Sequence, residues 1–317
     1  MKSTSMSGSI VKRVQNNKAL MLFLKLAISI IILYFVARNI DWTKTFDFLK
    51  NANPWLLIMC VFLLLALLYL RALRWRYLAR SFKAQISFKE SFYQNTVSLA
   101  FANATPARFG EAIKIKFLKE QSKITYFRAI LIAIFEKTAD FAILLFCLLL
   151  GCVLIFFGES FSWLVLVIFV SYCGLLIVSI VFIKPFFKIA FKLAKRFKKR
   201  IDPFFIPQKN YALILGISLL SWFILIGQTY TISEAIDANI SFSIFIFLIP
   251  LMALSGLFPL SLGGIGIRDA LTVFLLARFG LALEQALLIS VLYTFINYLI
   301  PVFIGIYLYL QRKQPAN

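Results

Sequence analysis

Three short stretches place charge, proline and glycine where the surrounding chain is almost entirely apolar. The longest reads Phe258-Pro259-Leu260-Ser261-Leu262-Gly263-Gly264-Ile265-Gly266-Ile267-Arg268-Asp269. Pro259 stops one helical segment. Gly263, Gly264 and Gly266 let the backbone turn and approach a ligand closely. Arg268 and Asp269 open the next segment. In lipid an unpaired backbone polar group costs roughly several kcal/mol. Irregular backbone at membrane depth therefore survives only where protein buries it or a wet cavity borders it. Broken helices of this kind carry the binding sites of transporters. A kinked helix with glycines at a packing contact is the structural alternative. The glycines do not make a nucleotide loop, because no strand precedes them and no Lys-Ser or Lys-Thr follows.

The second stretch is Asn103-Ala104-Thr105-Pro106-Ala107-Arg108-Phe109-Gly110-Glu111. Thr105 suits an N-cap and Pro106 a first helical position, which predicts a helix starting at Pro106. Such a start aims free backbone N–H groups at the membrane and carries roughly half a positive charge. With Arg108 in its first turn it forms an anion site suited to a lipid phosphate. The alternative is a cytoplasmic loop whose arginine obeys the positive-inside rule.

The third is Glu136-Lys137-Thr138-Ala139-Asp140, whose two acids stand at i and i+4 on one helix face. An intramembrane acid costs about 2.5–3.5 kcal/mol on insertion scales, so both should face protein or water. Lys137, Arg108 and Arg268 are the expected partners. A structural ion pair and a substrate or proton role are equally open. The residues singled out for substrate binding are Asn103, Arg108, Glu111, Glu136, Asp140, Gly263, Gly264, Gly266, Arg268 and Asp269. Weaker signals come from Arg71, Arg74 and Arg76, which follow an apolar run, and from Asn297 and Pro301 in the last one.

The elements that must position these residues are membrane helices. Of 317 residues, 62% are hydrophobic, and the mean hydropathy is +0.89. A span needs about 20 apolar residues, and runs at 20–37, 54–70, 137–157, 162–183, 210–230 and 285–310 qualify. The first is read as a retained span, not a cleaved signal. Residues 91–118 and 242–279 are each interrupted, and their halves are too short to cross alone. The expected fold is an all-α integral membrane protein: a polytopic helical bundle with about six full spans and two re-entrant broken-helix elements. An ordinary eight-span count is the alternative.

The formal net charge of +21 points to topology, since the basic residues sit between apolar runs. With the N-terminus inside, 27 of the 34 lysines and arginines fall in inner segments. Both termini are then cytoplasmic. The stretch Lys184–Arg200 reads either as a basic amphipathic helix in the headgroup plane or as a plain inner loop. No nucleic-acid partner is expected. The chain has no histidine and four cysteines, all in apolar runs and none in a CxxC. That argues against a thiolate metal site and removes the commonest general base. No cofactor or metal is expected.

The three stretches, in this order, resemble the membrane region of lysylphosphatidylglycerol synthases and the flippase-like family also labelled UPF0104. That pattern runs Pro-Ala-Arg-x-Gly-Glu, then Glu-Arg-x-x-Asp, then Pro-x-x-x-Gly-Gly-x-Gly-x-Arg-Glu. Here it falls on Pro106 to Glu111, Glu136 to Asp140, and Pro259 to Asp269, with Lys137 for the arginine and Asp269 for the last glutamate. The resemblance covers nearly the whole chain and implies one flippase-like transmembrane domain over 1–317. It implies lipid translocation rather than catalysis, of a phospholipid or a polyprenyl- or sugar-linked lipid in the bacterial inner membrane. The implied partners are membrane lipids with phosphate-bearing headgroups, and an enzyme of lipid or glycan synthesis. A membrane-embedded transferase and a non-catalytic accessory to such an enzyme are the competing readings.

Overall fold

The computed structural model describes residues 38, 40–105, 108–122, 124–156, 162–196, 208–256, 264 and 266–313. Everything regular in them is helical. A short surface helix α1 (Trp42–Lys50) is capped by Asp41, whose carboxylate accepts from the N–H groups of Thr43 and Lys44. Asn53 caps α2 (Pro54–Ser81), with Pro54 in its first turn. Ser87 caps α3 (Phe88–Asn103). A 3₁₀ turn (Phe109–Ala112) then leads into α4 (Ile113–Gln121). Next come α5 (Tyr126–Phe156), α6 (Ser162–Arg196) and α7 (Gln208–Ala235). The pair α8 (Phe242–Ser255) and α9 (Ile267–Arg278) flanks the glycine stretch. The last rod is α10 (Leu283–Thr294), a π-helical turn (Phe295–Leu299) and α11 (Ile300–Lys313).

Four helices among the described residues are long and apolar enough to cross a membrane: Pro54–Ser81, Tyr126–Phe156, Lys209–Ala235 and Leu283–Arg312. Shorter apolar helices cover Trp163–Ser179 and Phe242–Ser255. The expected run at 20–37 lies outside the described residues, as does the N-terminal segment before it. The basic stretch Lys184–Arg200 is helical through Arg196, and its side chains lie outside the description.

Several boundaries differ from the sequence reading. The run expected at 54–70 continues to Ser81, so Arg71, Arg74 and Arg76 ride on the helix instead of following it. The run expected at 137–157 starts at Tyr126, which puts Glu136 inside α5 along with Asp140. Pro106 lies outside the described residues, but Arg108, expected in the first turn of a helix, is left-handed, with φ of 58°, and the chain turns through 3₁₀ geometry before α4. Thr105 uses its hydroxyl differently from an N-cap. It donates to the Phe101 carbonyl at 2.9 Å and accepts from the Gly110 N–H at 2.7 Å, which ties the turn back onto α3.

Helices α2 and α7 pack along their length, as do α3 with α11 and α5 with α8. Helices α5 and α8 approach closely at Gly151, where a Cβ would lie 2.6 Å from the backbone of Phe247. The helix ends fall into two groups. At one end of the bundle the Asn53 N–H donates to the Ala235 carbonyl at 2.7 Å, and the Asp41 N–H donates to Glu284 at 3.3 Å. At the other end Asn210 donates to Ser81 at 3.0 Å, and Arg312 pairs with Glu90 at 2.8 Å. Trp42, Trp55 and Trp163 stand exposed toward the first end, as aromatic belts do at a membrane interface.

Candidate functional site

A cavity of about 770 Å³ opens between α2, α3, the 3₁₀ turn, α4, α5, α7, the end of α8 and the π turn. Along α2 its wall runs from Leu64 to Arg74, and along α5 from Ile130 to Leu144. At 1.5 Å per residue these stretches start roughly 6–15 Å inside their helix ends. The site therefore lies within the bundle, inside the ends of its long apolar helices.

Its charged floor is a chain of ion pairs. Arg74 on α2 is 3% exposed and reaches across to α5. It pairs with both oxygens of Asp140, one at 2.9 Å, and donates to Glu136 at 3.3 Å and to the Ser218 hydroxyl at 2.8 Å. Lys114 on α4 is 2% exposed, because it shares the buried face of that helix with Leu118 at i+4. Its ammonium pairs with Glu136 and, at 2.9 Å, with Glu111, while sitting 4.8 Å over the Trp75 ring. Lys137 closes the chain with Glu111 at 2.6 Å. The expected partners of the acids are thus corrected. Glu136 and Asp140 bind Arg74 and Lys114, not Lys137, Arg108 or Arg268. Arg74 and Lys114 come from helices next to α5, and at i+1 Lys137 does not share the face of Glu136.

Two cations stand apart from this chain. Arg71, one helical turn before Arg74 on the same face of α2, lines the cavity with a side chain that makes no ion pair or hydrogen bond among the described residues. So does Arg108, which its left-handed backbone swings to the cavity. Both guanidiniums belong to residues that line this one cavity. Asn103 donates to the Tyr298 carbonyl at 3.3 Å, and its Oδ1 is buried without a partner among the described residues.

Tyr293 and Tyr298 form the wall opposite. In a regular α-helix five residues apart means ~140° apart. The π turn between them brings both rings to one side, with centroids 6.2 Å apart. Turns of this type recur at functional sites. Behind that wall lies Arg268, 1% exposed. Its guanidinium stacks 4.1 Å from the Tyr298 ring and 5.3 Å from Tyr293. It donates to Asp269 at 2.9 Å and to the Thr294 hydroxyl at 2.5 Å. Asp269 also accepts from Ser290 at 2.7 Å, from Thr294 at 3.1 Å and from the Gly266 N–H at 2.9 Å. Gly264 and Gly266, with φ of 89° and 93°, supply the left-handed backbone that this helix start requires.

Of the residues singled out in the sequence, Asn103, Arg108, Glu111, Glu136 and Asp140 therefore meet around one cavity. Arg268, Asp269, Gly264 and Gly266 stand one layer behind its tyrosine wall, and Gly263 lies outside the described residues. Asn297 lines the cavity. Sequence reasoning passed over Lys114, Tyr293 and Tyr298 and gave Arg71 and Arg74 little weight. The i, i+3 spacing of the two arginines at the end of an apolar run was the available signal.

Long apolar helices around a buried, charged cavity define a multi-pass integral membrane protein. The chain belongs to the lysylphosphatidylglycerol synthase transmembrane-region family, whose model matches residues 22–305. It is 26% identical over 261 residues to a UPF0104 membrane protein of Methanothermobacter thermautotrophicus, covering 72% of this chain and 76% of that one. Over 92 residues it is 34% identical to a phosphatidylglycerol lysyltransferase of Staphylococcus epidermidis. That match spans 29% of this chain and 11% of the lysyltransferase.

Proposed function

We propose that this chain is a transporter, not an enzyme, that moves a phosphate-bearing lipid across the cytoplasmic membrane without ATP hydrolysis. The observation that carries the reading is the shape of the cavity. Its depth holds charge, while its rim on α5 and the 3₁₀ turn is apolar and exposed: Ile130, Ile134, Phe141 and Phe109. A lipid fits that division, with its headgroup inside and its chains left in the bilayer. Arg71 and Arg108 hold the headgroup. Glu111, Glu136 and Asp140 keep the neighbouring cations in place, and the Arg268–Asp269 pair props the tyrosine wall.

In this reading α3 with α4, and α8 with α9, are the two re-entrant elements. Their longest members have 16 and 14 residues, about 24 and 21 Å, against a hydrocarbon core of about 30 Å. Both contribute to the cavity wall, through Asn95 to Asn103 on one side and Met252 and Ala253 on the other. The positive-inside rule makes the face carrying Ser81, Glu90 and Arg312 cytoplasmic, with both termini there. A partner enzyme of lipid synthesis is a second reading. The shared 92 residues support it, because the relative that carries them is named a lysyltransferase.

The experiment is photolabelling with a phospholipid that carries a diazirine in its headgroup. Peptides of α3 and α5 around Ser98 and Ala133 should be labelled. Label confined to lipid-facing positions such as Leu175 and Val178 would overturn the reading.

A further inference from the structure

The charges around the cavity do not cancel. Among the described residues its lining holds five basic and three acidic side chains. All three acids are engaged: Asp140 by Arg74, Glu136 by Arg74 and Lys114, and Glu111 by Lys114 and Lys137. That chain is neutral, three cations against three anions. What remains is Arg71 and Arg108, two guanidiniums on one cavity: Asp140 and Glu111 attract them, but among the described residues neither carboxylate lies within ion-pair distance of them, and both are already held by other cations. A cationic headgroup would find no free carboxylate, and freeing one would leave Arg74 or Lys114 buried and unpaired. A phosphodiester brings one negative charge against two positive ones. A phosphomonoester or a diphosphate brings about two at neutral pH, and the forked donors of arginine match its oxygens in pairs.

We infer that the headgroup taken by this cavity is a dianion, a lipid ending in a phosphomonoester or diphosphate, gripped between Arg71 and Arg108. The inference rests on the lipid-transport reading of the same cavity. It sets this chain apart from one built for a cationic, aminoacylated headgroup.

The test is competition binding to the full chain in nanodiscs at pH 8, with a tail-labelled phosphatidic acid as the reporter. Unlabelled phosphatidic acid, phosphatidylglycerol, lysylphosphatidylglycerol and inorganic phosphate are the competitors. Phosphatidic acid should compete about tenfold better than phosphatidylglycerol, and the lysyl lipid should be weaker again. Inorganic phosphate, which lacks the chains, should compete only at far higher concentration. Arg71→Gln and Arg108→Gln should each bring phosphatidic acid down to the level of phosphatidylglycerol. Where a variant does not fold, the ranking on the unaltered chain decides. Equal competition by all three lipids overturns the dianion and leaves lipid transport standing. Inorganic phosphate competing as well as phosphatidic acid overturns both.

Discussion

Arg74 is the cation that pairs with both α5 carboxylates, and the cost of removing it follows from its burial. Breaking a buried pair by deleting one partner costs about 3–5 kcal/mol, because the other charge is left uncompensated. Arg74→Gln should lower the detergent-solubilised protein's thermal stability by that order. Arg74→Lys should recover part of it, since a point charge replaces a two-pronged contact. Unchanged stability in Arg74→Gln would contradict the ion-pair chain. Arg268 makes a different prediction, because it touches Tyr293 and Tyr298 and not the cavity itself. Arg268→Gln should lower stability and transport together while leaving the ranking of headgroups intact. Loss of transport at full stability would instead place Arg268 in the site. The residues legible in the sequence were those that look out of place in lipid: Arg108, Glu136, Asp140 and the glycines. Arg74 was given little weight and Lys114 none, because the positive-inside rule already accounts for basic residues near helix ends. Tyr298 escaped because a π turn leaves no mark in composition.

At the scale of elements, the close crossing of α5 and α8 rests on Gly151. Its missing side chain lets the backbone of Phe247 approach to 2.6 Å of where a Cβ would stand. Close approach at small residues is how helices pack in lipid, where tails are as apolar as side chains. Gly151→Val should force the helices apart and cost about 1–3 kcal/mol. Gly216→Val on α7 is the control, since nothing lies within 4 Å of its Cβ position. Equal melting temperatures for the two variants would remove the crossing as a constraint. Apolar runs marked the existence of most helices, but not their ends. Helix α2 runs about three turns further than hydropathy alone suggests, to Ser81, because Arg71 and Arg74 find partners or a cavity and need no loop. The turn after Asn103 was legible as a break, but not its form. Gly110 shows why: a Cβ there would collide with the Phe101 carbonyl, a tertiary constraint that no local propensity records.

For the whole molecule, the two groups of helix ends define two faces, and the count of basic residues orients them. Single cysteines at Lys50 and Asp237, in a chain stripped of its own four, should react with an impermeant maleimide in intact cells. Cysteines at Lys83 and Lys119 should react only after the membrane is opened. The reverse pattern would invert the topology. A cavity that carries lipid from one face to the other should show itself as transport in proteoliposomes. A tail-labelled phosphatidic acid should exchange between leaflets faster with the purified chain than in protein-free vesicles, without ATP. A folded Arg71→Gln, Arg108→Gln double variant should fall back toward the protein-free rate. Exchange at the protein-free rate for phosphatidic acid and every other lipid tried, with the chain folded and inserted, would contradict the account.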